Sequence, residues 1–359
     1  MMPGVDHAAR RERVVGRLTE LEAEAILVTR IPNVRYLSGF TGSNGQLLLT
    51  QSDGVFLTDS RYVEQARREA PDLRRAAYQG ELAAIFAELA RDAGVERVAF
   101  EAAGVTYRTY RKLAEVDVEL VPTTDEVERL RWVKDPEELA LIEAAQRITD
   151  EAFARIVAKL TEGRTEGEVA FDLEHSMREL GADAVAFDPI VAFGEQAAEP
   201  HHRPTDRPLR RGDVVKMDFG CTVDGYSSDM TRTVAFGDPA TKLRDLHELV
   251  RRAQAAGTAA LRPGMRGGEV DEAARAVIRD AGFGERFGHS LGHGIGLEVH
   301  EGPGLRHGSE DVLPEGTVVT VEPGVYVPEL GGVRIEDMVV VTATGGRLLP
   351  ASPRELLVV

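Results

Sequence analysis

The stretch GTVVTVEPG (316–324) combines an apolar strand pattern with a carboxylate at its end. Residues 317–321 are all Thr or Val, which is typical of a buried β-strand. Glu322 follows directly, and Pro323 and Gly324 end the strand. Because an unpaired buried carboxylate is energetically costly, the sequence predicts that Glu322 meets a proton, a cation, a donor cluster or open water.

An earlier stretch repeats this strand and its acid. LRRGDVVKMDFG (209–220) aligns with LPEGTVVTVEPG (313–324) at an offset of 104 residues, and Asp218 then falls on Glu322. The carboxylate at the strand end therefore belongs to the part of the sequence that is repeated.

A helical pattern upstream repeats at nearly the same offset. KLTEGRTEGEVAFDLEHSMRELG (159–181) aligns with ALRPGMRGGEVDEAARAVIRDAG (260–282) at an offset of 101 residues, with seven identities. Recurrent strand and turn chemistry is the alternative explanation, but two neighbouring repeats at similar offsets favour an internal duplication. We expect two related halves whose equivalent strand ends face each other across a cleft.

Each half supplies a second acid. Asp229 lies eleven residues after Asp218, and the intervening VDGY (223–226) can form the turn of a strand pair. Glu336 lies fourteen residues after Glu322. Four carboxylates at one place would repel each other and could not all ionise unaided. Divalent cations resolve that conflict, so the sequence predicts a metal-dependent hydrolytic site.

Two histidine-containing segments accompany the acids. GHSLGHGIGLEVHEGPG (288–304) does not have the HExxH spacing of a zinc protease helix, and EPHHRPTD (199–206) reads equally well as a polar surface loop. A lone histidine is usually a packed or surface residue, but three in twelve residues beside four paired acids favour function. The histidines of the two segments are His289, His293 and His300 in the first and His201 and His202 in the second.

Composition excludes several functional classes. The net charge of −17 argues against a nucleic-acid or anionic-membrane partner. The longest apolar runs are far too short to span a membrane, and the first residues lack the apolar region of a signal peptide. Cys221 is the single cysteine, so no intrachain disulfide can form, and a cytoplasmic location is expected.

The length of 359 residues predicts two domains. Residues 1–124 alternate strand and helix patterns, which predicts a small α/β domain. We expect a linker at 125–134 and a second domain at 135–359 that opens with a helix from Asp135-Pro136 to about residue 160. The predicted strands of the first domain are 24–30, 45–50, 54–59 and 96–101, and its predicted helices are 61–70 and 81–94.

The chain resembles the pita-bread metallopeptidases, on the branch that contains Xaa-Pro dipeptidases (prolidases) and aminopeptidase P. The resemblance covers essentially the whole chain. It implies an α+β fold, with a pseudo-twofold duplicated pita-bread catalytic domain preceded by a smaller creatinase-type α/β domain. The matching motifs are HSLGHGIGLEVHE (289–301), DFG with SSDMTRT, PHHRPTD, VEPGVY, GGVRIED, NVRYLSGFTGSNG (33–45) and LTDSRY (57–62).

The resemblance implies a site for two divalent metal ions. Asp218 would bind one metal, His293 and Glu322 would bind the other, and Asp229 and Glu336 would bridge the pair. An oxygen-rich site with one histidine suits Mn²⁺, while Co²⁺, Fe²⁺ and Zn²⁺ are feasible.

The resemblance also implies catalytic roles. A hydroxide held between the metals would attack the carbonyl of the bond that precedes proline, with Glu322 as its acid/base partner. His201 and His300 would flank the substrate and stabilise the tetrahedral intermediate, and His289 would line the pocket. Arg334 and Tyr326 match positions that fix the ligands and close the site, although a structural strand arginine and a packed tyrosine are the alternatives.

The implied substrates are Xaa-Pro dipeptides or short Xaa-Pro-Xaa peptides, and the implied assembly is a homodimer. A broader aminopeptidase, an amidinohydrolase or a non-catalytic peptide-binding protein on the same fold are the alternatives. One position departs from the pattern, since many relatives carry an arginine where this chain has Gly304. We expect that this change weakens a strict dipeptide preference unless Arg306 substitutes from a remodelled loop.

Overall fold

The computed structural model describes residues 5–359, which divide into two compact units with the boundary between Arg131 and Trp132. Each unit has its own sheets and its own buried core. Within the described residues, no helix combines the length and the apolar composition needed to cross a bilayer.

The N-terminal unit contains a six-stranded mixed sheet in the order β4-β3-β2-β1-β5-β6. Its strands are β1 Ala25–Val28, β2 Gln46–Thr50, β3 Gly54–Asp59, β4 Arg74–Tyr78, β5 Arg97–Glu101 and β6 Glu119–Thr123. Its helices are α1 His7–Val15, α2 Ile31–Ser38, α3 Val63–Glu69, α4 Leu82–Ala93, α5 Tyr107–Leu113 and α6 Glu128–Arg131. All four predicted strands and both predicted helices coincide with observed elements, and α6 lies inside the segment predicted as a linker.

The C-terminal unit contains four long helices and thirteen strands. The helices are α7 Pro136–Val157, α8 Glu166–Glu179, α9 Thr241–Ala260 and α10 Gly267–Asp280. The strands are β7 Ala184–Val185, β8 Ile190–Phe193, β9 Val214–Phe219, β10 Cys221–Val223, β11 Tyr226–Ser227, β12 Met230–Ala235, β13 Gly292–Gly294, β14 Glu301–Leu305, β15 Val318–Val321, β16 Gly324–Val327, β17 Gly331–Arg334, β18 Asp337–Thr342 and β19 Gly345–Leu348.

Helix α7 begins where the sequence predicts. The Asp135 side chain accepts a hydrogen bond from the Glu138 amide, and the Glu138 carboxylate accepts one from the Asp135 amide. Pro136 occupies the first turn, where it has no helical hydrogen bond to lose. The helix ends at Val157, close to the predicted end.

The internal duplication is present in the fold. Helices α8 and α10 have the same length, and both of their ends differ by the predicted 101 residues. The strand orders β12-β9-β8 and β18-β15-β13 also correspond, with antiparallel pairing throughout. Each half packs its own apolar core beneath its helices.

Strand pairing brings the acids of each half together. In the first half, β9 pairs with β12 so that Asp218 lies opposite Thr231, and Asp229 immediately precedes β12. Asp224 and Gly225, with φ of 46° and 77°, form the tight turn of this hairpin. In the second half, β15 pairs with β18 so that Glu322 and Glu336 flank the Val321–Asp337 pair.

Candidate metal centre

The predicted acids and histidines surround one cavity of about 430 Å³ in the C-terminal unit. Nine of the ten residues predicted for the site line it, and Tyr326 lies behind its wall. The lining residues are Phe187, Asp188, Ile190, His201, Asp218, Asp229, His289, Ser290, His293, Val299, His300, Glu322, Arg334 and Glu336.

Three side chains from different elements form the tightest cluster. One potential ligand atom each of Asp229, His293 and Glu336 lies within 4.8 Å of the others. The Nε2 atom of His293 is also 3.3 Å from Glu322 Oε1 and 3.8 Å from Asp229 Oδ2. The two halves of the duplicated unit therefore contribute to a single cluster of oxygen and nitrogen donors.

The acids of this cluster have opposed electrostatic environments. Burial, followed by repulsion from neighbouring carboxylates, raises the pKa of Asp229 and of Glu336 well above its usual range. Burial acts in the same direction on Glu322, but the hydrogen bond and charge of His293 outweigh it and lower the pKa of Glu322 to about 2. Crowded buried carboxylates that resist ionisation are the arrangement that a divalent cation stabilises.

Asp218 offers a further ligand atom. Arg334 Nη2 donates to Asp218 Oδ2, whereas Asp218 Oδ1 is buried and has no hydrogen-bond partner among residues 5–359. A buried carboxylate oxygen without a donor is costly unless a cation meets it. The unpartnered oxygen, the crowded acids and the single imidazole fit the oxygen-rich donor set that hard and borderline divalent metals prefer.

Arg334 connects Asp218 to two other predicted site residues, Tyr326 and His289. Its Nη1 atom donates to the Tyr326 hydroxyl at 3.0 Å, and that hydroxyl lies 2.9 Å from His289 Nε2. Its Nε atom donates to Thr231 Oγ1 at 2.9 Å. The guanidinium is almost completely buried, so these bonds fix the geometry of one wall of the cavity.

The two histidines predicted to flank the substrate differ from the buried cluster because both are exposed within the cavity. The ring of His300 lies 4.3 Å from that of His293, centroid to centroid. Burial, and then the charge of His293, lower the pKa of His300, which favours a neutral imidazole at neutral pH.

The residue after His300 is held by an ion pair. Lys134 Nζ forms a buried ion pair at 2.7 Å with Glu301.

Two threonines that the sequence analysis did not select hold the acids. Thr231 donates to Glu336 Oε2 at 2.7 Å, and Thr320 donates to Glu322 Oε1 at 3.3 Å. Thr320 Oγ1 also accepts a hydrogen bond from the His293 amide at 3.1 Å. Thr231 follows Asp229 by two residues and Thr320 precedes Glu322 by two, so the period of a strand could have identified both.

The neighbouring histidines of the 199–206 loop have different surroundings. His201 lines the cavity, whereas His202 is buried with Nε2 at 2.9 Å from Glu166 Oε2 and Nδ1 at 2.7 Å from Glu199 Oε2. Nothing in the local sequence indicates that Glu166, which begins α8, pairs with His202.

The structure does not bring Arg306 to the cavity. The Gly304 amide donates to Asp311 Oδ2 at 2.9 Å, and Arg306 is exposed and is not one of the described residues that line the cavity. Arg306 is therefore not placed to substitute for the arginine of many relatives.

Comparison with known proteins identifies the family. Residues 140–343 match metallopeptidase family M24, and residues 10–133 match the creatinase/prolidase N-terminal domain. The chain belongs to metallopeptidase family M24 and combines the M24 pita-bread domain with a creatinase-type N-terminal domain.

Relatives and solved structures agree along the whole chain. The Xaa-Pro dipeptidase of Pyrococcus furiosus is 35% identical over 97% of this chain and 99% of its own. The structure of an Xaa-Pro dipeptidase from Bacillus anthracis superposes with a TM-score of 0.96 and 39% identity, covering 99% of this chain and 100% of that one. An X-Pro aminopeptidase structure from Thermotoga maritima gives a TM-score of 0.89 and 38% identity, covering 97% and 99%.

Proposed function

We propose that this metallopeptidase is an Xaa-Pro dipeptidase that hydrolyses the peptide bond preceding proline. The observation that carries the proposal is the convergence of four carboxylates and one imidazole in a small cavity, with two exposed histidines beside them. Similarity to the dipeptidases of P. furiosus and B. anthracis along nearly their whole lengths supports the substrate class.

We propose that Asp218, Asp229, His293, Glu322 and Glu336 hold two divalent metal ions, with Mn²⁺ favoured by the oxygen-rich donor set. Bound ions of this kind lower the pKa of a bound water and polarise the scissile carbonyl. The unpartnered Oδ1 of Asp218 and the raised pKa values of Asp229 and Glu336 support this assignment. Co²⁺, Fe²⁺ and Zn²⁺ remain compatible with the same ligands.

The chain's own groups would then handle protons and orient the peptide. Glu322 lines the cavity and lies 3.3 Å from His293, so its carboxylate is placed to accept a proton from the attacking water. His300 and His201 present imidazoles to the cavity, where they can donate to the oxygen that becomes negatively charged. His289, held by Tyr326, lines the cavity beside Glu322 and would contact the residue after the cut.

The cavity also offers an acid for the free amino group of a short peptide. Asp188 is exposed and lines the cavity between Phe187 and Ile190. We propose that its carboxylate attracts the α-ammonium group of the first substrate residue, which favours exopeptidase action.

The retained acids weigh against an amidinohydrolase or a non-catalytic binding protein. An Xaa-Pro aminopeptidase that accepts longer peptides is the second candidate, because the T. maritima X-Pro aminopeptidase is similar over 97% of this chain. Arg306 is exposed and does not line the cavity, so this loop places no arginine there to select a dipeptide carboxylate, which also favours this alternative.

A peptide series tests the proposal. Purified, metal-loaded protein is assayed on Ala-Pro, Ala-Pro-Ala and a longer Ala-Pro peptide, with Ala-Ala and acetyl-Ala-Pro as matched controls. A dipeptidase cleaves Ala-Pro fastest and leaves both controls intact. Preference for the longer peptides would support the aminopeptidase, and cleavage of Ala-Ala at the rate of Ala-Pro would overturn proline specificity.

We further propose a cytoplasmic homodimer, with no nucleic acid or membrane partner. The expectation rests on the family resemblance, the single cysteine and the net charge of −17. Light scattering coupled to size-exclusion chromatography gives the mass in solution, and a mass near the 39.1 kDa of one chain would contradict the dimer.

A further inference from the structure

Lys216 is a fully buried lysine in a strand of the site. It lies in β9 two residues before Asp218, so both side chains project from the same face of the strand. Lys216 and Asp218 are the only charged residues of the strand VVKMDF (214–219), whose six residues are all buried. Burying a cation is costly unless hydrogen bonds compensate, so Lys216 requires specific partners.

Lys216 donates hydrogen bonds to main-chain carbonyls of one short segment. Its Nζ atom donates to the carbonyl oxygens of Ala197 at 3.2 Å and Pro200 at 3.3 Å, and also to that of Glu199. Nζ lies 5.2 Å from the centre of the Tyr326 ring. The Nζ hydrogens are therefore directed at the backbone of residues 197–200, immediately before His201.

A buried arginine reaches the same backbone. Arg334 Nη1 donates to the Pro200 carbonyl at 3.1 Å, and the same guanidinium binds Asp218 and the Tyr326 hydroxyl. The carbonyl that precedes His201 thus receives hydrogen bonds from both Lys216 and Arg334. Hydrogen bonds with a charged donor are stronger than neutral ones, and stronger still where water is excluded.

The residue after His201 is fixed as well. His202 is buried between Glu166 at 2.9 Å and Glu199 at 2.7 Å. His201 is therefore an exposed residue between the hydrogen-bonded carbonyl of Pro200 and the buried side chain of His202, and it lines the cavity. A side chain with an exposed ring depends on its backbone for orientation.

We propose that Lys216 is a positioning residue for His201: by binding the carbonyls of residues 197–200 it sets the backbone that presents the His201 imidazole to the substrate. The inference rests on the proposed function for its catalytic consequence. It assigns Lys216 no contact with substrate or metal. It also explains why a lysine occupies this strand, since an aliphatic residue would remove the Nζ donor from the carbonyls of Ala197 and Glu199 and leave that of Pro200 to Arg334 alone.

The test compares Lys216→Met with Lys216→Arg, which keeps a cationic donor. In Lys216→Met we expect kcat on Ala-Pro to fall by about 10- to 100-fold because a catalytic group is misplaced, with unchanged metal content. Lys216→Arg should restore most of kcat. Ile156→Ala, a buried change near the end of α7, is the control for lost stability and should lower Tm while leaving kcat unchanged.

A double-mutant cycle separates positioning from a general structural role. If Lys216 acts through His201, Lys216→Met has little further effect on kcat in a His201→Ala background. Multiplying effects, or loss of metal from Lys216→Met, would overturn the proposal. Should Lys216→Met not fold, Lys216→Gln carries the same prediction, because one amide cannot satisfy three carbonyls.

Hydrogen exchange provides a measurement that needs no activity. Amides of residues 198–203 should exchange at least several-fold faster in Lys216→Met than in the parent protein, whereas those of α10 should not change. Unchanged exchange in the loop would contradict the proposal. If the parent protein cleaves no Xaa-Pro peptide, the proposed function fails, and the exchange result alone still decides whether Lys216 holds the loop.

Discussion

The two halves of the C-terminal unit share a scaffold but differ in how they hold their acids. In the first half, Asp218 is bound by Arg334, which comes from the second half. In the second half, the equivalent Glu322 faces His293 at 3.3 Å. The third strand of each order also differs. In the first half it is the apolar β8, and in the second half it is β13, in which His293 lies between two glycines.

This difference shows how a duplicated fold yields an asymmetric site. The repeated hairpins supply four acids by the same geometry, and the unrepeated residues then make their environments unequal. Glu322 remains ionised beside His293, whereas Asp229 and Glu336 resist ionisation until a cation is present. An acid that stays charged can handle protons, and acids that need a cation can act as bridges between metals.

Removing Asp229, which we propose as a ligand shared by both metals, should produce the largest effect because both halves of the site depend on it. Asp229→Asn is expected to lower kcat/KM for Ala-Pro by about a thousandfold or more, beyond the 10- to 100-fold typical of an outer partner of a metal ligand. Metal content, measured by plasma mass spectrometry, should fall with it. Asp245→Asn, an exposed aspartate on α9, is the matched control and should retain both.

Removing His300, which lies beside His293, should lower turnover without changing the metal content. His300→Ala is expected to lower kcat by about a hundredfold, because a donor to the developing oxyanion is lost. Metal content should stay at the parental value in the same preparation. If the metals were lost as well, His300 would be a ligand and its assigned role would be wrong.

Two threonines, one from each half, hold the two acids of the second half. Thr231→Val removes the 2.7 Å hydrogen bond to Glu336, and Thr320→Val removes the 3.3 Å bond to Glu322. We expect Thr231→Val to weaken metal binding by about tenfold and Thr320→Val to weaken it less, since the shorter bond restrains its acid more tightly. Competition with a metal-sensitive dye gives both affinities, and the reverse order would contradict this ranking of the two hydrogen bonds.

The helices of the two halves predict a smaller, pH-dependent difference. At the helical offset of 101 residues, His247 of α9 falls on Gln146 of α7, and both are buried. Burial lowers the pKa of His247 to about 4, so the folded state disfavours its protonation. The stability that this neutral histidine provides is present above pH 6.5 and is lost as the pH falls toward 4.

His247→Gln, which copies the residue of the first half, should remove that part of the acid sensitivity. The difference in the free energy of unfolding between parent and variant should change by up to about 3 kcal/mol between pH 7 and pH 4. Urea unfolding at several pH values measures it. A difference independent of pH would contradict the pKa assigned to His247.

The acids could be located from the sequence because their positions follow from local rules. A strand pattern, a turn between two strands and a repeat at a fixed offset placed Asp218, Asp229, Glu322 and Glu336 at facing strand ends. The family resemblance supplied what local rules do not, namely the roles of the individual ligands and the proline specificity.

The remaining features depend on partners distant in sequence. His202 pairs with Glu166, 36 residues away, and Lys216 binds carbonyls 16 to 19 residues away. The edge strand β4 is mostly polar, and α2 is short and contains a proline, so neither has a strong periodic pattern. The periodicity of apolar residues identifies whole buried faces of helices and strands, but it does not identify single polar contacts between distant residues.

The most direct test of the account is the metal content of the parent protein measured together with its activity. The protein is stripped with a chelator, reloaded with Mn²⁺, and analysed for bound metal and for hydrolysis of Ala-Pro at each stage. The proposed dinuclear site predicts two ions per chain in the active protein, none in the stripped protein, and hydrolysis that returns on reloading. A folded protein that binds no divalent ion, or that hydrolyses Ala-Pro equally well when stripped, would contradict it.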